Sequence, residues 1–336
     1  MSQINKWVLK FALLCCALPL APARAQFEGE LTAAKRLYPE IGAGLRALKR
    51  AANGRTYVLN NSGISVFGDH GKHLATIGEA AVLGATEKRS ARGHISFGED
   101  CDIDADGNIY VADRAANLVL IFSADGNLAR SIAVNSPTAV AALSGGDIAV
   151  TTLRQPQLIT VFDKQGHEIR EFGELADISD NAEMNRYLNA GKLATDAQGH
   201  LYYAFVYLPE PTVRQYDRNG YSAQEIRYAE LLAMPTAQAA RKEIERQERK
   251  GKAPSFKPIL TAVAVNRDTG EVWMALHNTL LRFDQEGNRM ASYQLYTPEG
   301  ARLDASSMVI DKDKILIGSD PLGVYEFERP DNKLKQ

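Results

Sequence analysis

Four aspartates fall on alternate residues in one stretch of this chain: Asp100, Asp102, Asp104 and Asp106, ending on Gly107. Clustered carboxylates repel one another unless a cation or a basic side chain neutralises them. Asp102-x-Asp104-x-Asp106-Gly107 has the opening of a calcium loop, and Asp113 stands at its twelfth position, where such loops want Glu. The surroundings argue against that reading, because Ile109 to Ala112 is a β-rich run and no helix flanks it. A calcium hairpin of the Asp-x-Asp-x-Asp-Gly-x-x-Asp kind would need an acid where this chain has Tyr110. The expectation is a plain turn with solvated Asp104 and Asp106 and no cofactor; calcium held by Asp102, Asp104 and Asp106 is the alternative.

Other chemistry-bearing patterns are scarce. The chain has no HExxH, no nucleophile elbow and no phosphate-cradling glycine loop. His70, His73, His94, His167, His200 and His277 offer no metal pair at helical spacing, and most fall in turns. Cys101 is the one cysteine outside the N-terminal stretch and sits in a predicted strand, where it reads as a small buried hydrophobe.

The elements around these residues repeat. Asp106-Gly107-Asn108 signals a tight hairpin turn, and Asp113 to Asn117 and Asp125-Gly126-Asn127 mark two more. Between them lie Ile109-Tyr110-Val111 and Leu118 to Phe122, so the stretch holds four short antiparallel strands, one propeller blade. The first turn recurs at Asn53-Gly54, Gly145-Gly146, Gln198-Gly199 and Thr269-Gly270, and in a degenerate last copy at Asp313-Lys314. A β run follows each time, then an aromatic and a second turn: Phe67 with Gly71, Phe122 with Gly126, Phe162 with Gly166, Tyr216 with Gly220, Phe283 with Gly287. An isolated blade would expose both faces, so the copies must close on one another.

The unit from Asp100 to Ile132 resembles an NHL repeat, with its small-residue strand, Gly-Asn turn, Tyr-Val-Ala-Asp and Phe-x-x-x-Gly turn. The resemblance, of the bacterial exported type, implies an all-β, six-bladed β-propeller with short helical insertions. The propeller is expected over residues 42–336, preceded by residues 26–41, in which Leu31 to Tyr38 either supplies the missing outer strand of the last blade or forms a short helix. Two insertions interrupt the repeats. Glu174 to Leu188 reads as carrying a short helix. The second, residues 229–254, starts its helix at Pro235, carries Ala237, Ala240 and Ile244 as an apolar stripe, and turns a basic outer face to solvent.

Placing the repeats in a ring locates the polar candidates. Asp100 and Asp102 lie on an innermost strand, and Asp102 stands where most other copies carry Ala. Such breaks of a local rule gather at functional sites; here the plain reading is an ion pair across the central channel with Lys192 or Arg46. The loops between second and third strands share one rim, a default place for a ligand, and there Arg114, Arg154, Tyr207 and His277 are the candidate binding residues. Lactonases of the gluconolactonase kind and the peptidylglycine amidating lyase resemble this fold and hold a metal in the channel, but their ligand sets do not carry over residue by residue.

The address comes from the first residues. Lys6 and Lys10 precede the apolar run Phe11 to Leu20, and Ala23-Arg24-Ala25 resembles a cleavage site. Residues 1–25 thus read as a secretory signal peptide, too short in its apolar run to span a bilayer, and the expected location is periplasmic or secreted. Cleavage would leave 36 basic residues against 41 acidic ones, a formal charge of −5, which speaks against a nucleic-acid partner. The function expected is a non-catalytic binding or scaffold module for an unknown protein, peptide or small molecule, the alternative being a metal-dependent hydrolase or lyase with Asp100 and Asp102 as ligands.

Overall fold

A computed structural model describes residues 27–79, 93–153, 156–230, 235–250 and 255–330. Two strands precede the first blade, β1 (Phe27–Thr32) and β2 (Lys35–Leu37). Blade 1 holds β3 (Ala47–Arg50), β4 (Thr56–Asn60), β5 (Gly63–Phe67) and β6 (His73–Ile77). Blade 2 holds β7 (Gly98–Ile103), β8 (Ile109–Asp113), β9 (Leu118–Phe122) and β10 (Leu128–Ala133). Blade 3 holds β11 (Pro137–Ala142), β12 (Ile148–Thr152), β13 (Gln157–Phe162) and β14 (Glu168–Glu174). Helix α1 (Ala182–Leu188) leads into blade 4, with β15 (Gly191–Thr195), β16 (Leu201–Phe205), β17 (Thr212–Tyr216) and β18 (Ser222–Arg227). Helix α2 (Pro235–Lys250) precedes blade 5, with β19 (Ala262–Val265), β20 (Val272–Leu276), β21 (Thr279–Phe283) and β22 (Arg289–Tyr296). Blade 6 has only β23 (Ser307–Ile310), β24 (Lys314–Ser319) and β25 (Gly323–Glu328) in sequence.

The six-bladed all-β propeller expected from the repeats is the fold found. Its fourth strand in blade 6 is β2, antiparallel to β25, with Lys35 opposite Glu326 and Leu37 opposite Val324. The N-terminal segment therefore closes the ring as a strand. β1 was not anticipated: it adds a fifth, parallel strand to blade 5, with Phe27 opposite Ala291 and Thr32 opposite Tyr296. One N-terminal segment thus covers the outer edges of two neighbouring blades, edges that would otherwise present unpaired N–H and C=O groups.

The apolar core is divided among the blade interfaces. Tyr57, Leu59 and Ile64 of blade 1 pack on Cys101, Val111 and Leu120 of blade 2. Leu48, Val58 and Phe67 pack on Leu316 and Val324 of blade 6, which seals the ring. Second strands such as β4, β8, β16 and β20 face a neighbour on both sides, which is why their β runs are apolar almost throughout rather than alternating. Cys101 is fully buried as expected, and burial, with Asp100 beside it, pushes its thiol far above the ordinary value.

Both predicted helices are present. Asn181 caps α1 by accepting the Met184 N–H at 3.0 Å. In α2, Pro235 takes the first position, and Ala237 and Ile244 are buried with Gln247. Gln247 is held at both ends by Ser255, its amide donating to the Ser255 carbonyl at 2.8 Å and its oxygen accepting the Ser255 N–H at 3.0 Å. Ile244 packs on Met184 and Leu188, with Tyr207 and Phe256 against the same cluster, so α1 and α2 sit together on the rim of the second-to-third strand loops.

Candidate functional site

The innermost strands β3, β7, β11, β15, β19 and β23 run around the channel. Each begins at the end carrying the loops between second and third strands, here called the mouth. In β7 the register slips between Gly98 and Asp100, leaving Glu99 as an extra residue. That bulge puts Glu99 at the mouth and Asp100 and Asp102 on the channel wall below it.

Glu99 is the centre of the mouth. Arg114 donates to its carboxylate at 2.8 Å, and Arg46 lies 3.6 Å from the other oxygen. Arg46 also stacks over the Phe97 ring, 3.6 Å from its centroid, and donates to the Asn61 side chain at 3.0 Å. Tyr207 stacks on Tyr187 with centroids 4.9 Å apart, their hydroxyls 3.2 Å from each other. Burial lifts the Tyr207 phenol well above its ordinary value; the Tyr187 hydrogen bond and the Glu99 charge add to this, and Arg114 opposes it. Arg114 and Tyr207 both lie on second-to-third strand loops, in blades 2 and 4.

His277 stands apart in blade 5. Its ring is 3.0 Å from the Pro258 carbonyl and its backbone N–H donates to Thr261 Oγ1 at 3.2 Å, which ties it to its own loop. Arg154, the remaining rim candidate, lies outside the described residues. Beside Arg114 the surface opens into a concavity of about 410 Å³ lined by Phe97, Arg114, Asn117, Asn135 and Ser136. Phe97 is 39% exposed there, unusual for an aromatic in this chain. A second cleft of about 340 Å³ runs under α2, where Glu210 pairs with Arg241 and Arg227, and Glu225 with Arg214 and Arg227.

On the channel wall the expected partners of Asp102 are replaced. Its ion pair is with Lys49, at 3.7 Å, not with Lys192 or Arg46. The cause is a one-residue offset: strand pairing sets Lys49 opposite Tyr57 as Asp102 is set opposite Tyr110, so Lys49 is the blade 1 counterpart of Asp102. The other Asp102 oxygen accepts the Ala142 N–H of β11 at 2.9 Å, and Asp100 accepts the Val140 N–H at 3.3 Å. These are edge groups of an innermost strand, which has no further strand to pair with. Lys192 reaches the Ser306 carbonyl at 3.4 Å.

Asp104 is taken by its own turn. It accepts the N–H groups of Asp106 at 2.9 Å and Asn108 at 2.8 Å, the Asn108 amide at 2.8 Å and the Tyr110 hydroxyl at 2.9 Å. Blade 4 repeats the device without the acidic neighbours, where Asp196 takes the His200 N–H at 2.9 Å and the Tyr202 hydroxyl at 3.0 Å. Asp106 is exposed. Asp102 thus turns to Lys49 and β11 while Asp104 is held in its own turn, and among the described residues no three His, Cys, Asp or Glu side chains are grouped for a metal.

Asp113 caps its turn through the Ala116 N–H at 3.1 Å and also holds the entry to its blade, accepting from Ser96 at 2.6 Å and Phe97 at 3.0 Å. Sequence reasoning missed Glu99, Arg46 as a mouth residue, Phe97 and Tyr187. The available signal was Phe97-Gly98-Glu99-Asp100, an exposed aromatic and an extra acid entering a strand that elsewhere starts with small residues.

Among solved structures the chain is similar to a catalytically inactive virginiamycin B lyase from Staphylococcus aureus with quinupristin, at 12% identity and a TM-score of 0.56, over 89% of this chain and 100% of that one. A selenomethionine-substituted virginiamycin B lyase from the same organism aligns at 12% identity and a TM-score of 0.51, over 89% and 99%. Hydrazine synthase from Kuenenia stuttgartiensis aligns at 11% identity and a TM-score of 0.52, over 83% of this chain and 74% of that one. At such identities the likeness extends to the propeller fold alone. No protein-family model matches the chain, and no curated protein sequence matches it.

Proposed function

We propose that this chain is an exported, non-catalytic binding propeller that takes its ligand at the mouth, against Phe97, Arg114 and Tyr207. The observation that carries the reading is the open concavity of about 410 Å³ into which Arg114 and the exposed Phe97 both border. Two guanidinium groups, Arg46 and Arg114, share the carboxylate of Glu99, and the half-exposed Arg114 guanidinium borders the concavity. A ligand with a carboxylate beside a flat apolar group suits that combination, the acid meeting a guanidinium fork and the flat group meeting Phe97. The non-catalytic reading draws on the same geometry: the acids that could act as bases or ligands, Glu99, Asp100, Asp102, Asp104 and Asp113, each bind a basic side chain or at least one backbone N–H group. The export reading draws on residues 1–25. Fractionation tests both parts. The protein should be found in the envelope fraction with Gln26 as its first residue, and native mass spectrometry of that material should show a bound mass lost on Arg114→Ala. Cytosolic protein retaining Met1, or a bound mass indifferent to Arg114, would overturn the reading.

A further inference from the structure

Strand pairing puts six residues at one level of the channel: Ala47, Asp100, Ala139, Lys192, Ala262 and Ser307. Blades 1, 3 and 5 contribute alanine; blades 2, 4 and 6 contribute a carboxylate, an amine and a hydroxyl. The three alanines are buried, whereas Asp100, Lys192 and Ser307 keep partial exposure to the channel. Small residues thus alternate with the polar ones around the ring.

The polar groups are incompletely used. Asp100 accepts one long backbone hydrogen bond, from Val140 at 3.3 Å, and Ser307 Oγ accepts the Leu48 N–H at 2.9 Å, which leaves its own O–H to donate. Lys192 cannot accept such an N–H and reaches only the Ser306 carbonyl, at 3.4 Å. Among the described residues Asp100 and Lys192 form no direct ion pair, with each other or with a third group; Lys49, which also attracts the Asp100 carboxyl, is paired with Asp102. Burial pushes the Asp100 carboxyl up and the Lys192 amine down, against the opposing pull of Lys49 and Lys192 on Asp100 and of Asp100 on Lys192.

We propose that this level of the channel binds a small zwitterion of the α-amino-acid kind, its ammonium at Asp100 and its carboxylate at Lys192 and the Ser307 hydroxyl. The charge pattern selects that class. An anion drawn to Lys192 would be repelled by Asp100, a cation drawn to Asp100 would be repelled by Lys192 and Lys49, and holding like charges together away from water is costly. A molecule carrying both charges a few atoms apart answers both. The inference goes beyond the mouth reading and does not draw on Phe97 or Arg114, so the two fail separately.

Calorimetric titration of the purified protein with glycine, L-alanine, acetate and methylamine tests it. Glycine or L-alanine should bind, with acetate and methylamine each at least about ten-fold weaker. Asp100→Asn and Lys192→Met should each weaken the amino acid by about ten-fold or more. Acetate or methylamine binding as tightly as the amino acids, no binding of either amino acid, or unchanged affinity in either variant would overturn the proposal. Should a variant fail to fold, the ranking of the four probes on the wild-type protein still decides it.

Discussion

The carboxylate of Asp102 accepts the backbone N–H of Ala142 across the interface between blades 2 and 3, at 2.9 Å, while its other oxygen faces Lys49 of blade 1 at 3.7 Å. One side chain thus ties three consecutive blades at their innermost strands. The two bonds separate by substitution. Asp102→Asn keeps an acceptor for Ala142 and loses the charge, and should cost about 1 kcal/mol. Asp102→Ala loses both and leaves Lys49 without its carboxylate, and should cost about 2–3 kcal/mol. Urea unfolding of the two variants checks the order; equal costs would mean that the Ala142 bond contributes nothing.

Asp100 should make stability depend on pH in a particular direction. Burial raises its carboxyl above the ordinary value of 3.8, so the folded protein holds this proton more tightly than the unfolded chain. Its contribution to stability is fully present below the unfolded value and is lost as pH rises through the folded one. Asp100→Asn, which cannot ionise, should therefore gain melting temperature relative to wild type as pH is raised from about 4 toward neutrality. A constant difference across that range would contradict the assignment.

The N-terminal strands should matter more than their length suggests. Deleting residues 26–38 removes β1 and β2 and bares the outer edges of blades 5 and 6. The expected result is a fall in melting temperature of more than about 10 °C, or aggregation, read by circular dichroism and light scattering. A truncated chain that melts with the intact one would show that the closure is ornamental.

Asp104 and Cys101 give two quiet controls. Asp104→Ala should lower stability by about 1–2 kcal/mol through loss of its turn, and millimolar calcium should leave the melting temperature of the wild type unchanged. The Cys101 thiol, buried and held protonated, should resist a disulfide reagent in buffer and react at once in denaturant.

The fold was legible because turns and β runs are local: Asp106-Gly107 and Ile109-Tyr110-Val111 mark a blade without reference to any other. β1 was not legible, since a parallel strand has no hairpin turn to announce its partner, and its partner, β22, lies at the far end of the chain. The mouth was half legible. Topology alone put Arg114 and Tyr207 on one rim. The bulge at Gly98 and Asp100 hid Glu99, because a single extra residue shifts every later position of the alignment by one, and the same kind of one-residue offset concealed Lys49 as the partner of Asp102. Tyr110, which looked like a missing acid in a calcium loop, is the residue that closes the turn on Asp104.

The mouth itself is tested most directly by the affinity of whatever mass the envelope-purified protein carries, measured for four variants. Phe97→Ala, Arg114→Ala and Tyr207→Ala should each weaken it several-fold, while Lys164→Ala, on the turns of the opposite face, should leave it as in wild type. Melting temperatures of Phe97→Ala, Arg114→Ala and Lys164→Ala should stay within a few degrees of wild type, since exposed changes cost about 0.5 kcal/mol or less. Loss of the ligand on Lys164→Ala, with full affinity kept by the three mouth variants, would contradict a binding site at this mouth.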